Sequence, residues 1–184
     1  MKNSFINFKD QVCFITGAGS PTGIGFNTAK ILGSLGAKVA LVSTTDRIHE
    51  RCEELKAQGI DAKGFIADLM NRDQVKSTVK EIEKEFGRID VLVNNAGMVQ
   101  VGGEEDFGYV EEITYESWDE SINRNLTLTF NVTKEVLPVM LKNNYGRIVN
   151  ISSVTGPTVS NPGEAAYSAA KAGVLGMSRA LAIE

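Results

Sequence analysis

Tyr167 and Lys171 are the two residues of this sequence best suited to chemistry. They lie four residues apart in AAYSAAKAG, a stretch with helical spacing, so both side chains are predicted to project from one face of a helix. A lysine ammonium beside a phenol favours the phenolate. Tyr167 is therefore predicted to donate a proton to a developing alkoxide, or to remove one from an alcohol. Taken alone, such a pair is more often an exposed pair on a helix surface.

A second candidate is the glycine-rich stretch FITGAGSPTGIGFNTAK, residues 14–30, which runs from an apolar strand into a helical pattern. In a dinucleotide-binding loop, the first glycine allows a tight turn, the second lets backbone approach the pyrophosphate, and the third lets the helix pack closely on the strand. Gly17, Gly23 and Gly25 can fill these roles. Because glycines also serve ordinary turns, this stretch alone gives weak support for a cofactor.

The elements that must position these residues alternate between short apolar runs and helix-length amphipathic segments. Continuously apolar strands predict a parallel sheet covered on both faces. Right-handed crossovers then give a doubly wound α/β (Rossmann) fold, with its ligand site at the carboxyl ends of the strands. The predicted strands are 12–16, 38–43, 62–67, 91–94 and 147–152, and the predicted helices are 24–35, 46–58, 72–86, 117–142 with a kink at Pro138, and 165–184.

Bulk properties narrow the class of protein. A length of 184 residues with 42% apolar content predicts one domain over residues 1–184. The net charge of −4 leaves no basic face for nucleic acid, so a small-molecule partner is expected. The two cysteines, Cys13 and Cys52, predict neither a disulfide framework nor a zinc site. No apolar run is long enough to span a membrane, and a cytoplasmic location is expected.

In order and type, these motifs resemble those of the short-chain dehydrogenase/reductase family over nearly the whole chain, and among its members the beta-ketoacyl-acyl carrier protein reductases. The glycine loop is two residues longer than the family pattern TGxxxGxG. The extra pair is most simply Pro21-Thr22, predicted to bulge outward while Gly23 and Gly25 stay at the helix entrance. The motifs that carry the resemblance are TGAGSPTGIG (16–25), DL (68–69), NNAG (94–97), Asn125, NISSVTG (150–156) and YSAAK (167–171).

The resemblance implies hydride transfer between a nicotinamide cofactor and a carbonyl or alcohol carbon. Tyr167 would be the general acid, and Lys171 would also bind the nicotinamide ribose. Ser153 would orient the carbonyl, with Ser152 as its rival. Asn125 matches the family asparagine that holds a water linking the lysine to solvent. The stretch from Ser153 to Tyr167 is one residue longer than the usual family spacing.

The choice of nicotinamide depends on the end of the second strand. An acidic residue there binds the adenosine ribose of NAD and repels the additional phosphate of NADP. This chain instead has Ser43, Thr44 and Thr45, and Arg47 adds charge, which favours NADP over NAD. In the competing interpretation Asp46 supplies the carboxylate, although its position fits a helix N-cap better.

Further cofactor contacts are implied after the third and fourth strands. Asp68 and Leu69 resemble the family's adenine contact, and the alternative for Asp68 is a helix cap. The predicted cofactor-binding residues are Gly17, Ser20, Gly23, Ile24, Gly25, Ser43, Thr44, Asp68, Leu69, Asn95, Ala96, Gly97, Tyr167 and Lys171, with no metal ligands.

The family also sets expectations for the whole chain. The sheet is expected to have five strands in the order 3-2-1-4-5, without the two further strands and substrate lid that family members commonly add. The implied activity is NADPH-dependent reduction of a ketone, either a beta-ketoacyl thioester or a small ketone, by a homo-oligomer. The alternatives are a cofactor-binding or assembly fragment without turnover, and an NAD-dependent secondary alcohol dehydrogenase. Much of the substrate specificity is expected to lie in residues 99–112, in residues 154–164 and in the substrate lid that this sequence lacks.

Overall fold

A computed structural model of the chain describes residues 6–97 and 107–184. Of the segment 99–112, which is predicted to carry substrate specificity, residues 99–106 lie outside the described part. The chain falls into two compact units, and the single domain predicted from the sequence stays a prediction. The first unit comprises Met1–Ala96 and Asn131–Val149, and the second comprises Gly97–Phe130 and Asn150–Glu184.

The predicted doubly wound α/β sheet is confirmed. Five strands form one sheet in the order β3-β2-β1-β4-β5, with β1 parallel to both β2 and β4 and with β2 parallel to β3. The central strands β1 and β4 are buried along their whole length, as expected for strands covered on both faces. The strands are β1 Val12–Thr16, β2 Lys38–Ser43, β3 Ala62–Ile66, β4 Val91–Asn94 and β5 Arg147–Asn150.

A buried carboxylate aligns the amino ends of two of these strands. Asp90 has no exposed surface, and its Oδ2 accepts a 2.8 Å hydrogen bond from the Val12 N–H. In return the Asp90 N–H donates to the Val12 carbonyl at 2.9 Å. The Arg88 guanidinium donates to both carboxylate oxygens, so the buried charge is compensated. This cluster fixes the register of β1 and β4 at their amino ends. The ligand site is predicted at the opposite, carboxyl ends of the strands.

Apart from the long helix predicted over 117–142, the helices follow the predicted segments, with ends that differ by at most three residues. In α3 one face is buried, since Val75, Val79 and Ile82 are buried. The helix begins at the Asn71 cap, and it ends at Gly87, whose φ of +79° suits a glycine C-cap. The helices are α1 Ile24–Ser34, α2 Arg47–Lys56, α3 Arg72–Phe86, α4 Tyr115–Ile122, α5 Leu128–Lys142 and α6 Ala165–Leu181.

The long helix predicted over residues 117–142 is not a continuous α-helix. It begins two residues earlier, at Tyr115, because the Thr114 side chain accepts a hydrogen bond from the Ser117 N–H and caps α4. Between α4 and α5 the chain forms a π-helical segment, Asn123–Thr127. Such segments occur mostly as single turns and are frequent at functional sites. Within the described residues, no helix combines the length and the apolarity that a membrane crossing requires.

Candidate active site

The glycine loop of the first unit connects β1 to α1. Gly17 has a φ of +67°, a conformation that residues with a side chain rarely adopt. Gly23 is the N-cap of α1, and its N–H donates to the Ser20 carbonyl at 3.2 Å. Pro21 and Thr22 are exposed at the tip of this turn. As predicted, the two additional residues point outward, and the helix still begins at the Gly23-Ile24-Gly25 sequence.

The same loop has the space and the charge that a pyrophosphate requires. A Cβ at Gly25 would lie 2.7 Å from Nδ2 of Asn95 and 2.8 Å from the Gly17 carbonyl oxygen, so only glycine fits. The first turn of α1 contains no acidic residue, and no side chain caps its amides. Exposed amides at a helix N-terminus attract phosphate. The loop therefore fits the diphosphate of a dinucleotide.

Thr16, the last residue of β1, organises the loop and was not among the predicted site residues. Its buried Oγ1 accepts hydrogen bonds from the N–H groups of Asn95 and Ala96, both at 2.9 Å. The Asn95 side chain in turn donates from Nδ2 to the carbonyls of Thr16 and Gly17, both at 3.0 Å. Asn95 and Ala96, predicted as cofactor contacts, thus also hold the glycine loop. The threonine that opens TGAG is the sequence signal for this role.

At the end of β2, the side chains are partly committed to their own turn. The Ser43 hydroxyl donates to the Thr45 carbonyl at 2.9 Å, so its proton is already used within the turn. Thr44 is exposed. Arg47 is exposed, and its Nε donates to Thr45 Oγ1 at 3.2 Å. Asp46 occupies the N-cap position of α2, as predicted, but its side chain makes no cap hydrogen bond. Arg47 therefore provides the cation at this strand end.

After β3, the residue that caps α3 is Asn71 and not Asp68, which the sequence suggests as an alternative. The Oδ1 atom of Asn71 accepts hydrogen bonds from the N–H groups of Asp73 and Gln74, so Asn71 caps α3 and the cap interpretation of Asp68 is wrong. Asp68 is exposed, and its Oδ1 accepts from the Met70 N–H at 2.9 Å. Leu69 is buried. An adenine contact by either residue stays a prediction.

In the second unit, Lys171 lies at the centre of the candidate catalytic residues. It is only 5% exposed, and its Nζ donates to the Ile151 carbonyl at 3.3 Å. The same nitrogen is 5.7 Å from the centroid of the Tyr167 ring. A Cβ at Gly97 would lie 3.4 Å from both Lys171 Nζ and Asn125 Oδ1. The fold of this unit thus brings the predicted residues Gly97, Asn125, Tyr167 and Lys171 together.

The π-helical segment provides the place for Asn125. This residue is buried in the segment, and its Nδ2 donates to the Ser121 carbonyl one turn earlier at 3.1 Å. That bond fixes the amide so that Oδ1 lies beside Gly97. A π-turn adds one residue to a helical turn, which changes the direction of the side chains after it. The helical spacing of residues 117–142 predicts one continuous helix and not this π-helical segment.

The two serines after β5 have different hydrogen-bond partners, and this distinguishes the two candidates for orienting the substrate carbonyl. The Ser152 hydroxyl donates to the Lys171 carbonyl at 2.8 Å, so it anchors this loop to α6. The Ser153 hydroxyl accepts a hydrogen bond from the Thr155 N–H at 3.1 Å, and that bond does not use its proton. Ser153 is therefore better suited to donate to a substrate oxygen.

The loop that follows is packed tightly on the helix that carries Tyr167. A Cβ at Gly156, whose φ is +92°, would overlap the Ser168 carbonyl oxygen. The hydroxyls of Ser160 and Ser168 are 2.6 Å apart. These contacts hold the segment after Ser153 against the first turn of α6.

A doubly wound sheet with a glycine loop at its first strand-to-helix turn defines a dinucleotide-binding fold. The family model described as "short chain dehydrogenase" matches residues 11–184. The chain belongs to this family of oxidoreductases, as its motifs predicted.

Individual relatives agree with this assignment. The chain is 39% identical to the 3-oxoacyl-[acyl-carrier-protein] reductase FabG of Thermotoga maritima, over 97% of this chain and 70% of the relative. It is also 39% identical to the (2S)-[(R)-hydroxy(phenyl)methyl]succinyl-CoA dehydrogenase subunit BbsD of Thauera aromatica, over 97% of this chain and 68% of the relative. The chain thus spans about two thirds of the length of these proteins.

A solved structure shows the same fold. The crystal structure of an NAD+-bound xylitol dehydrogenase superposes with a TM-score of 0.87 at 30% identity, covering 96% of this chain and 65% of that chain. The similarity therefore covers nearly the whole of this chain.

Proposed function

We propose that this protein is an NADPH-dependent reductase that converts a ketone to a secondary alcohol, with Tyr167 as the general acid. The observation that carries the proposal is the buried Lys171 ammonium, which lies 5.7 Å from the Tyr167 ring centroid. A buried cation near a phenol stabilises the phenolate that remains after proton donation. Tyr167 is only partly buried, so its hydroxyl can meet a substrate.

Each candidate residue has a defined task in this reaction. NADPH, when bound, would supply the hydride that the carbonyl carbon takes up, and the carbonyl oxygen would take up one proton to complete the alcohol. Tyr167 donates that proton, and Ser153 donates a hydrogen bond that orients the carbonyl oxygen. Lys171 stabilises the resulting phenolate and binds the nicotinamide ribose, and Asn125 supports the water through which Tyr167 regains its proton. In the first unit, the amides after Gly23 bind the pyrophosphate.

The preference for NADP rests on Arg47. Ser43 directs its proton to the Thr45 carbonyl, so the exposed Arg47 and the hydroxyl of Thr44 are better placed for the additional phosphate of NADP. A guanidinium is well suited to phosphate because its donors form a planar fork. An NAD-dependent secondary alcohol dehydrogenase is the alternative. Two observations favour this alternative. The Asp46 carboxylate makes no cap hydrogen bond, and the chain is structurally similar to an NAD+-bound xylitol dehydrogenase.

Thioesters of 3-oxo acids are the proposed substrates, with small ketones as the second choice. One relative is named for a 3-oxoacyl thioester of acyl carrier protein and another for a CoA thioester. We further propose a cytoplasmic homo-oligomer. Both cysteines are buried free thiols, which a reducing compartment maintains.

The decisive experiment is NADPH oxidation by the purified protein with a panel of 3-oxoacyl thioesters and ketones. Tyr167→Phe removes the proton donor and keeps the ring, so we expect turnover to fall by about 10²–10⁴-fold. The variant should still bind NADPH, which a fluorescence titration measures. Full turnover by Tyr167→Phe would exclude this acid. Binding of NADPH without oxidation by any carbonyl would instead support a cofactor-binding protein without turnover.

The coenzyme is tested separately with Arg47→Gln, which removes the charge but keeps a polar side chain. We expect NADPH affinity to fall about tenfold and NADH affinity to change little, because only NADPH carries the phosphate. If the wild-type protein binds NADH as well as NADPH, the proposed preference is wrong.

A further inference from the structure

Two glycines join the segment before α4 to the start of the helix that carries Tyr167. The Gly108 N–H donates to the Gly163 carbonyl at 3.1 Å. Gly163 has a φ of +81° and precedes the N-cap residue Glu164, and a Cβ at Gly163 would lie 3.5 Å from the Gly108 nitrogen. Since Gly163 is four residues before Tyr167, the Cα atoms of these two residues are at most about 14 Å apart. We call this hydrogen bond the glycine clasp.

The clasp fixes the backbone of one exposed aromatic residue. Tyr109 directly follows Gly108, and its carbonyl accepts hydrogen bonds from the N–H groups of Glu112 at 2.8 Å and Ile113 at 3.1 Å. Its backbone is therefore held on both sides, while the residue as a whole is 57% exposed. A rigidly mounted aromatic side chain offers a large contact area and loses little conformational entropy on binding.

The other end of the clasp belongs to the loop that contains Ser153. This loop is attached to the first turn of α6 through the Ser160–Ser168 hydroxyl pair and the close approach of Gly156 to the Ser168 carbonyl. Within the second unit, the backbone hydrogen bond between Gly108 and Gly163 and the side-chain contact between Ser160 and Ser168 thus link the segment of Tyr109 and the loop of Ser153 to the helix of Tyr167. A group bound at Tyr109 lies close to the start of α6 and to the carbonyl-orienting loop.

We propose that Tyr109 binds the apolar chain attached to the substrate carbonyl, and that the glycine clasp positions it to do so. The ring provides an apolar face and the hydroxyl stays in water, which suits an alkyl chain entering from solvent. The substrate class this selects is a 3-oxoacyl thioester with a medium or longer acyl chain. The inference deepens the proposed function and rests on it.

The first test uses a homologous series of 3-oxoacyl N-acetylcysteamine thioesters from butyryl to octanoyl length, with NADPH. For the wild type we expect kcat/KM to rise by about 1.8-fold with each methylene, because a single exposed ring buries only part of each CH2, and so by about tenfold over the four methylenes from butyryl to octanoyl length. In Tyr109→Ala this rise is lost, and the deficit at octanoyl length reaches about tenfold. Tyr115→Ala is the matched control, because Tyr115 is also exposed, at 88%, at the start of α4, and should preserve the rise.

The second test separates the clasp from the side chain. Gly108→Pro removes the N–H donor and should lose the dependence on chain length. Gly108→Ala keeps the donor, although its Cβ would lie 2.9 Å from Cγ2 of Ile113 and this side chain must shift, so the alanine variant should retain more of that dependence than the proline variant. If Gly108→Pro fails to fold, Gly163→Ala strains the clasp through its positive φ. Its matched control is Gly87→Ala, since Gly87 has a φ of +79° and no atom within 4 Å of an added Cβ. An equal dependence on chain length in all variants would overturn the positioning role.

A binding measurement keeps this inference apart from the proposed activity. Calorimetric titration with the 3-hydroxyoctanoyl thioester needs no turnover. We expect affinity to fall about tenfold in Tyr109→Ala and to stay unchanged in Tyr115→Ala. If the wild type oxidises no NADPH but this difference is present, the proposed reduction fails while the chain-binding role stands. Equal affinity in both variants would refute the role of Tyr109.

Discussion

At the scale of single residues, Thr16 shows how one hydroxyl can support a cofactor loop without touching a cofactor. Its Oγ1 accepts the N–H groups of Asn95 and Ala96 and lies 3.4 Å from the Val93 carbonyl, to which it donates. All three groups are at the carboxyl ends of β1 and β4. Because Asn95 in turn binds the Gly17 carbonyl, a loss at Thr16 affects the turn that would receive the pyrophosphate.

We therefore predict that Thr16→Val lowers both stability and coenzyme affinity. Valine matches the shape of threonine but leaves two amide N–H groups without their acceptor, at a cost of about 1–3 kcal/mol each. Urea denaturation measures the free energy of unfolding, and fluorescence titration measures NADPH binding. Thr16→Ser keeps the hydroxyl and should retain most of both. A Thr16→Val variant as stable as Thr16→Ser would show that these hydrogen bonds contribute little.

At the scale of elements, the turn before α3 contains two polar residues with different roles: Asn71 caps the helix, and Asp68 is the predicted cofactor contact. Asn71 caps the helix through two backbone N–H groups, whereas Asp68 closes only the short turn before it. We predict that Asn71→Ala costs about 1 kcal/mol of stability, which corresponds to a Tm lower by about 2–4 °C, with coenzyme affinity unchanged. Thermal denaturation and NADPH titration measure the two effects.

Two comparisons make this prediction specific. Asn71→Asp keeps a side-chain acceptor near the helix N-terminus and should preserve the Tm. Asp68→Ala should instead weaken NADPH binding if Asp68 contacts the adenine. A loss of affinity in Asn71→Ala that equals the loss in Asp68→Ala would mean that both act by positioning the same turn.

The elements also explain which features the sequence could predict. Local patterns in the sequence predict the strands β1, β2 and β4, because each is a short apolar run. The glycine loop is predicted because an apolar run, glycines and a helical pattern follow one another in residues 14–30. The cap at Asn71 and the different partners of Ser152 and Ser153 depend on distances between atoms that sequence spacing does not determine. The π-helical segment around Asn125 is defined by which carbonyl each backbone N–H reaches, and the helical spacing of residues 117–142 does not determine that.

At the scale of the whole molecule, two buried thiols make stability depend on alkaline pH. Burial, with a smaller contribution from the Asp90 charge, raises the pKa of Cys13 from 9.0 to about 12. Burial also raises the pKa of Cys52 to about 11, with smaller opposing effects of Lys56 and Glu53. The folded protein therefore retains both thiol protons at pH values where the unfolded chain releases them.

The sign of the effect follows from this difference. Above about pH 9 the unfolded chain binds fewer protons than the folded protein, so the free energy of unfolding decreases as pH rises. Each thiol contributes about 1.4 kcal/mol per pH unit until its folded pKa is reached. We predict that urea denaturation at about pH 10 gives a free energy of unfolding lower than at about pH 8 by about 3 kcal/mol from the thiols. In Cys13→Ala/Cys52→Ala this part of the decrease disappears, while the titration of lysines and tyrosines is common to both proteins. If the double variant loses as much stability between these pH values as the wild type, the thiols do not control the alkaline limit of the fold.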